Sequence, residues 1–373
     1  MKKIITTVGT SLVTNLKSDK PTLCNNLLSL EGKTSNDFDF NKDKVVHLKK
    51  TLLDALIEKD DFSFFKASAE IESLFKIKEK YGDGLEVYLI ASDSILSPLC
   101  AEILKEVLQK KEFTINFNRN LDIIKGLLVN NRATFIRDGL SNLINRISVI
   151  SNDYFDNIIF NITGGYKGVI PYLTIISMIN SAGLCYIYEK SSELIEIPSL
   201  PIKINFDIFK KYSEYIEILK NGIKNYHREK NSNYQIWEEI ENNGLVETAD
   251  TIAILSPVGN IFYQKYKNLI FSFYAPDDIW ADIESSKIFL NTIKNRFSNN
   301  NLRKHQSEEK NKHICFGEGR GDVRVFYFEE SGNIYIYKIY PEHNDDYEDL
   351  IRTTLNKVKI KSISKKREVQ IGG

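Results

Sequence analysis

The stretch Ile4-Ile5-Thr6-Thr7-Val8-Gly9-Thr10-Ser11-Leu12 decides the fold. Five β-branched residues in a row favour an extended strand. Gly9 then ends the run before it reaches the length of a signal-peptide core or a membrane span. Thr10 and Ser11 open what reads as a helix, so a loop of small residues stands where strand turns into helix. The arrangement recurs down the chain. A strand at Leu85–Ala91 leads into Ser92-Asp93-Ser94, and one at Asn157–Phe160 leads into Asn161-Ile162-Thr163-Gly164-Gly165-Tyr166-Lys167. Leu184–Tyr188 reads as a further strand. Asp43–Glu58, Pro98–Gln109 and Val169–Ser181 have helical apolar spacing, the last with Pro171 in its first turn and Gly183 beyond its end. Strands alternating with helices predict a mainly parallel sheet covered by helices. Residues 17–42, rich in Asn, Asp and Ser, read as a surface insertion.

The three loops lie where doubly wound sheets bind ligands. Small hydroxyl residues and backbone amides at Gly9-Thr10-Ser11 suit a phosphate. Paired glycines at Gly164-Gly165 let backbone approach a ligand, and Lys167 adds positive charge beside them. The chain has no G-x-G-x-x-G run at these loops, which argues against ordinary dinucleotide binding.

Val8-Gly9-Thr10-Ser11-Leu12 and Asn161-Ile162-Thr163-Gly164-Gly165-Tyr166-Lys167, in that order, resemble the two signature loops of CRISPR-associated Rossmann fold (CARF) domains. The resemblance covers about residues 1–200. It implies a homodimer whose sheets jointly bind a cyclic oligoadenylate made by a type III CRISPR complex, with four adenylates the expected ring size. Carried over by position, Thr10, Ser11, Asn161, Gly164, Gly165 and Lys167 would bind that ring, with Ser92 and Asp93 as further contacts. Some domains of the family also cleave their ligand with a hydroxyl and a lysine, and Ser11 and Lys167 are of those types.

Pro198 and Pro201 mark the exit from this region. Residues 205–275 read as mostly helical, with Tyr212–Asn225 and Tyr234–Asn243 clearest and a short strand at Thr251–Leu255. That makes a small connector compatible with a winged helix. From about Pro276 a helix over Asp278–Phe297 precedes strands at His313–Glu318, Asp322–Glu329 and Asn333–Tyr340. The last two are joined through Glu330-Ser331-Gly332-Asn333, a hairpin signal. A final helix over Asp345–Val358 and a basic tail complete an α+β domain.

Formal net charge is zero, yet it is unevenly spread. Residues 287–328 carry nine Lys/Arg against four Asp/Glu, and 351–373 carry seven against one. A basic end of this kind suits nucleic acid, although a solvated lysine-rich surface reads the same way on charge alone.

Two effector types common beside CARF domains lack their chemistry here. No Arg and His stand four to six residues apart, and Ile336 occupies the place of an acid two residues before Lys338. The region 276–358 instead resembles the RelE/ParE-like toxin fold. Phe289–Lys294 is similar to its basic helix, Leu302-Arg303-Lys304 to its entry to the sheet, Gly319–Tyr327 to its central strand, and Ile339–Tyr347 to its closing turn. The resemblance implies metal-independent mRNA cleavage, as in mRNA interferases acting on the ribosome. By position Arg324 would stabilise the phosphate with Arg320 assisting, His343 and His313 are candidate base and acid, and Tyr347 would stack on a base. Arg303, Lys304 and His305 would hold the RNA backbone. Read from the residues alone, His313 is as readily a satisfied strand residue and Tyr347 a core residue. Arg324 alternates with Val323 and Val325, so it faces the other side of the sheet, where exposure in a basic groove is expected.

The expectation is therefore three parts. These are a Rossmann-like α/β parallel-sheet sensor over 1–204, a winged-helix-like connector over 205–275, and a RelE-like α+β antiparallel-sheet domain over 276–373. Four scattered cysteines, Cys24, Cys100, Cys185 and Cys315, fit a reducing cytoplasm and form no metal motif. No cofactor other than the cyclic activator is expected. The expected partners are that activator, mRNA, the ribosome and a second copy of the chain, with no membrane. A ligand-responsive DNA-binding regulator with a non-catalytic RelE-like module, or an enzyme that only degrades the ligand, are the rival readings.

Overall fold

The computed structural model describes the chain apart from residues 129, 189–192, 201–203, 250–251, 318–320, 343–344 and 372–373. It divides into two compact units, Met1–Gln264 and Lys265–Gly373.

The first unit is built on β1 (Lys2–Val8), which is buried from Ile4 to Val8 as expected of a central parallel strand. Its neighbours are β2 (Leu85–Ser92) and β5 (Ile158–Asn161), both parallel to it. With β3 (Thr114–Asn116), β4 (Ile123–Ile124), β6 (Gly183–Ile187) and β7 (Leu194–Ile197), the order is β3-β2-β1-β5-β6-β7, and β4 also pairs with β2. All pairings are parallel except β6 with β7. The chain winds outward from β1 through β2 and β3, then returns to β5 on the other side of β1. The crevice between the ends of β1 and β5 is thus the point of topological reversal, where such sheets hold ligands.

Alternation along β1 sends its side chains to opposite faces. Ile4 and Val8 join a core with the Pro21–Leu28, Phe38–Ile57, Ala69–Tyr81 and Leu96–Gln109 helices, while Ile5 joins one with the Leu140–Ser151 and Ile170–Ile179 helices. Residues 17–42 are not merely a surface insertion. Cys24, Leu27 and Leu30 are fully buried in the first core. Cys24 and Leu27 seat the short Pro21–Leu28 helix, with Leu23 and Leu28 half-buried beside them, but the many polar residues around them hide it from composition.

The Ser213–Asn221, Tyr226–Ser232 and Tyr234–Asn242 helices surround a small antiparallel sheet. Its strands β8 (Ile223–Lys224), β9 (Val246–Ala249) and β10 (Ile252–Leu255) run in the order β8-β10-β9. Trp237 is fully buried with Tyr215 and Tyr226 edge-on to it. Ile254 and Ile261 enter the second core of the large sheet, so the chain as far as Gln264 is one unit with it.

The connector read over 205–275 therefore ends early. Its last stretch is strand β11 (Ile270–Ala275) of the second unit, whose other strands are β12 (Ser307–Lys310), β13 (His313–Phe316), β14 (Arg324–Glu330), β15 (Asn333–Tyr340) and β16 (Lys365–Gln370). They run β12-β13-β14-β15-β11-β16, antiparallel except β11 with β15. The β14–β15 turn has Ser331 and Gly332 at φ 51° and 79°, the left-handed pair that a two-residue hairpin requires. The helix expected over 278–297 is interrupted at Ser286, whose hydroxyl caps a new helix by accepting from Phe289 N–H. The final helix is likewise split, into Asp345–Ile351 and Lys357–Ile363. The basic tail then forms β16. Both edge strands, Ser-Glu-Glu-Lys and Lys-Lys-Arg-Glu-Val-Gln, are charged, which protects an edge from pairing but conceals it from apolar periodicity. Among the described residues no helix is long and apolar enough to cross a membrane.

Candidate functional site

At the crevice the second signature loop packs closely on β1 and on the Ala69–Tyr81 helix. Gly165 has φ +90°, and a Cβ on it would lie 2.4 Å from Thr7 Oγ1 on β1. A Cβ on Gly164 would lie 2.2 Å from Glu70 Oε1. Thr7 Oγ1 donates to the Gly164 carbonyl at 2.8 Å. The paired glycines thus allow the loop to pack on strand and helix, a demand the sequence reading assigned to the ligand.

Glu70, on the first turn of the Ala69–Tyr81 helix, ties the other side. It is 1% exposed. Its Oε1 accepts from Gly9 N–H at 2.8 Å and its Oε2 from the Ser11 hydroxyl at 2.7 Å. Two of the donors expected to meet a phosphate are therefore engaged by a carboxylate. Sequence reasoning missed Glu70. The available signal was its spacing to Leu74 and Ile77, which puts an acid on the helix's buried stripe.

Two clefts flank the paired loops. One, of about 460 Å³, is walled by Val8, Leu30, Leu96, Leu127 and Leu128, with Ser92, Asp93 and Ser94 beside them and Lys33 and Tyr166 also lining it. The other, of about 500 Å³, is lined by Ser11, Thr14, Thr163, Gly164 and Tyr188 among others. Gly9, Thr10, Gly165 and Lys167 line both. The apolar wall of the first cleft suits a base, and the hydroxyl-rich second cleft, which Glu72 also lines, suits a ribose. Thr10 makes no side-chain hydrogen bond among the described residues, and Lys167 is exposed, so these two groups lie nearest to hand for phosphate. Asp93 is held by Ser35 Oγ, by Gly126 N–H at 2.9 Å and by Lys125 at 3.6 Å, and so anchors the cleft floor to the loop after β4.

Of the sensor residues expected from sequence, Thr10, Ser11, Ser92, Asp93, Gly164, Gly165 and Lys167 come together here. Asn161 does not reach the clefts. It is fully buried, giving its amide hydrogens to Ser73 at 2.8 Å and Thr6 at 3.4 Å and accepting from the Thr163 hydroxyl at 2.8 Å. Its role is to shape the second loop from beneath.

The second unit corrects more of the reading. His313 is 1% exposed, with Nδ1 2.8 Å from Tyr337 OH and Nε2 3.0 Å from the Thr353 carbonyl. The Thr353 carbonyl can only accept, so Nε2 carries the ring hydrogen there, and in that tautomer Nδ1 accepts from the Tyr337 hydroxyl. Both ring nitrogens are thereby used within the protein. Tyr347 is fully buried against Phe326, a core residue and not a stacking platform.

Arg324 does face away from Val323 and Val325, but that face is covered too. Cys315, Phe326, Phe328, Tyr337 and Tyr347 form a second core there, and Arg324 is 6% exposed against Gly317. Arg303 is 5% exposed, bonded to Glu329, to the Phe297 carbonyl at 2.8 Å and to Asn300. It joins helix to strand and offers no fork to a backbone phosphate. Lys304 and His305 are exposed at the end of the Asn300–His305 helix. Arg320 and His343 lie outside the described residues. Among the described residues no group of His, Cys, Asp and Glu is placed to hold a metal ion, and all four cysteines are free and buried.

No curated protein matches the chain. Residues 65–200, the stretch that supplies Glu70, the Ser92–Ser94 loop and the Gly164–Gly165 loop, match a family model described as CRISPR-associated protein (Cas_APE2256).

Proposed function

We propose that the chain is a cyclic-oligoadenylate-gated ribonuclease of type III CRISPR defence, a CARF-type sensor carrying a RelE-like domain that cleaves mRNA, on the ribosome, without a metal. The observation that carries this reading is the crevice between β1 and β5. There Thr10 and Lys167 stand between two clefts of nucleotide size, and Lys167 lies within the stretch 65–200 that matches a CRISPR-associated family. Ring binding would bias the sensor between two states, and the unit built on β8–β10 would pass that bias onward.

In the second unit RNA cleavage needs three services. A base takes the 2′-OH proton as that oxygen attacks phosphorus, cations stabilise the pentacoordinate phosphate, and an acid protonates the departing 5′-oxygen. Lys304 and His305 are the exposed groups for holding RNA, and Arg320 and His343 remain the candidates for the chemistry. The test is mRNA cleavage in a translating extract, with and without cyclic tetra-adenylate and cyclic hexa-adenylate. Activator-dependent cuts, reduced at least tenfold by Lys304→Ala with His305→Ala, are expected. Equal cutting with and without activator would sink the gating.

A dimer fits the Ile170–Ile179 helix. Its sequence is almost wholly apolar, yet only Leu173, Ile176 and Ser177 are buried, leaving Ile175, Met178 and Ile179 partly open. A helix apolar all round is normally covered on all sides, and a second copy would supply the cover. Ile175→Asp is expected to give a monomer by light scattering, with ligand affinity at least tenfold weaker. An unchanged dimer would remove this face from the interface.

The DNA-binding rival draws on the order helix, β8, two helices, β9, β10, which is that of a winged helix. Its third helix, Tyr234–Asn242, would enter the groove, but it carries Glu238, Glu239 and Glu241 and no Lys or Arg. Acids at that position oppose the phosphates on which duplex binding depends. The charge therefore favours a coupling role for this unit.

A further inference from the structure

Ser11 stands at the sensor loop as a hydroxyl of fixed polarity. A carboxylate has no hydrogen to give, so in the 2.7 Å contact Ser11 Oγ donates and Glu70 Oε2 accepts. The other Glu70 oxygen is taken by Gly9 N–H at 2.8 Å. Ala69 N–H, at 3.3 Å, donates to Ser11 Oγ from the helix side. With its hydrogen pointed at Glu70 and one lone pair filled, Ser11 has a single lone pair left, and Ser11 is only partly buried where it lines the 500 Å³ cleft. Toward a ligand it is an acceptor. It cannot give a hydrogen to a phosphate oxygen without breaking the bond to Glu70, and a buried negative charge behind it makes a phosphate there costlier still.

We infer that Glu70 sets the ligand's sugar: acting through Ser11, it builds an acceptor for a ribose 2′-hydroxyl, so the cleft takes ribonucleotide rather than deoxyribonucleotide rings. Glu70 is a positioning residue in this scheme and does not touch the ligand. Its Gly164 contact, where a Cβ would fall 2.2 Å from Oε1, holds the carboxylate in place and keeps the polarity from relaxing. Phosphates are left to Thr10 and Lys167, on the strip shared by both clefts. The inference rests on the cyclic-oligoadenylate reading and deepens it.

Glu70→Gln reverses the polarity at nearly constant shape. Its Oε1 still accepts from Gly9 N–H, but its amide N–H now faces Ser11 Oγ and turns the serine hydrogen into the cleft. The experiment is calorimetric titration of the full chain with cyclic tetra-adenylate, cyclic hexa-adenylate and their all-2′-deoxy counterparts. Wild type is expected to favour the ribo ring tenfold or more. In Glu70→Gln that ratio should fall to threefold or less, with the deoxy ring bound more tightly than by wild type. A merely structural Glu70 would weaken both rings equally and leave the ratio alone. Ser11→Ala, which removes the acceptor without a buried change of charge, should lose the ratio as well and carries the test if Glu70→Gln does not fold. A preserved ribo preference in either folded variant overturns the inference. Binding of no ring by wild type overturns the sensor reading itself, and this inference with it.

Discussion

Gly165→Ala is expected to abolish detectable binding of cyclic oligoadenylate and to lower the stability of the first unit by about 3 kcal/mol, the sum of two separate costs. The backbone at Gly165 has φ +90°, which an alanine adopts only with strain of about 1–2 kcal/mol. The new Cβ would also sit 2.5 Å from Thr7 Cβ and 2.9 Å from the Thr7 carbonyl carbon. Those atoms belong to the central strand, bonded on both sides to β2 and β5, and cannot give way. The loop must move instead, and it carries Lys167 and one wall of each cleft. Binding should therefore suffer more than folding. Gly32→Ala is the control. It lines the 460 Å³ cleft with φ +80°, but its nearest neighbour to a new Cβ is Asn130 Nδ2 at 4.0 Å. It should cost about 1 kcal/mol of strain and leave affinity within threefold. Thermal melts and calorimetry on the two variants separate strain from shape, and a Gly165→Ala protein binding as tightly as wild type would move the ligand away from this crevice.

The contrast between the two glycines also shows what sequence can and cannot carry. The strands of the large sheet were legible because β-branched runs and the loops after them are local signals, and β1, β2 and β5 lie within a residue or two of where they were read. That two glycines mark a close approach was legible as well. What they approach was not, because Thr7 and Glu70 are brought there by the fold across some 157 and 94 residues. Glu70 lies in Ala69-Glu70-Ile71-Glu72, where one acid faces the core and the next faces out, and composition cannot tell them apart.

In the second unit the alternation of β14 correctly put Arg324 opposite Val323 and Val325. Alternation names a face without saying whether that face is wet. Here Tyr347 and Leu350, on the helix after β15, add to the aromatic layer over it, and that cover depends on where the helix ends. The break after Ile351 brings the Thr353 carbonyl onto His313, a contact with no counterpart in local sequence. Residue type was thus a poor guide to access.

Arg303→Ala tests that distinction most sharply, because sequence gave Arg303, Lys304 and His305 one common role. The Arg303 side chain donates to the Phe297 carbonyl at 2.8 Å, the Ser298 carbonyl at 3.4 Å, Asn300 Oδ1 at 3.1 Å and Glu329 Oε1 at 3.1 Å, with the Phe271 and Phe297 rings beside it. Glu329 is 45% exposed, so the ion pair itself contributes little. The carbonyls weigh more. Truncation strands acceptors where the Ile293–Phe297 turn meets the Asn300–His305 helix and opens a void beside two aromatic rings, at a combined cost of about 3 kcal/mol. For a unit of this size that is a fall of more than about 10 °C in its melting temperature. Lys304→Ala and His305→Ala, both at exposed positions, should each stay within about 0.5 kcal/mol of wild type. Activity should divide the other way under the proposed reading: the double variant folds and fails to cut, whereas Arg303→Lys, which keeps charge but not the fork, loses stability first. RNA cutting by a fully stable Arg303→Ala protein, reduced only in its affinity for RNA, would return Arg303 to the RNA surface and make its burial a feature of the unbound form.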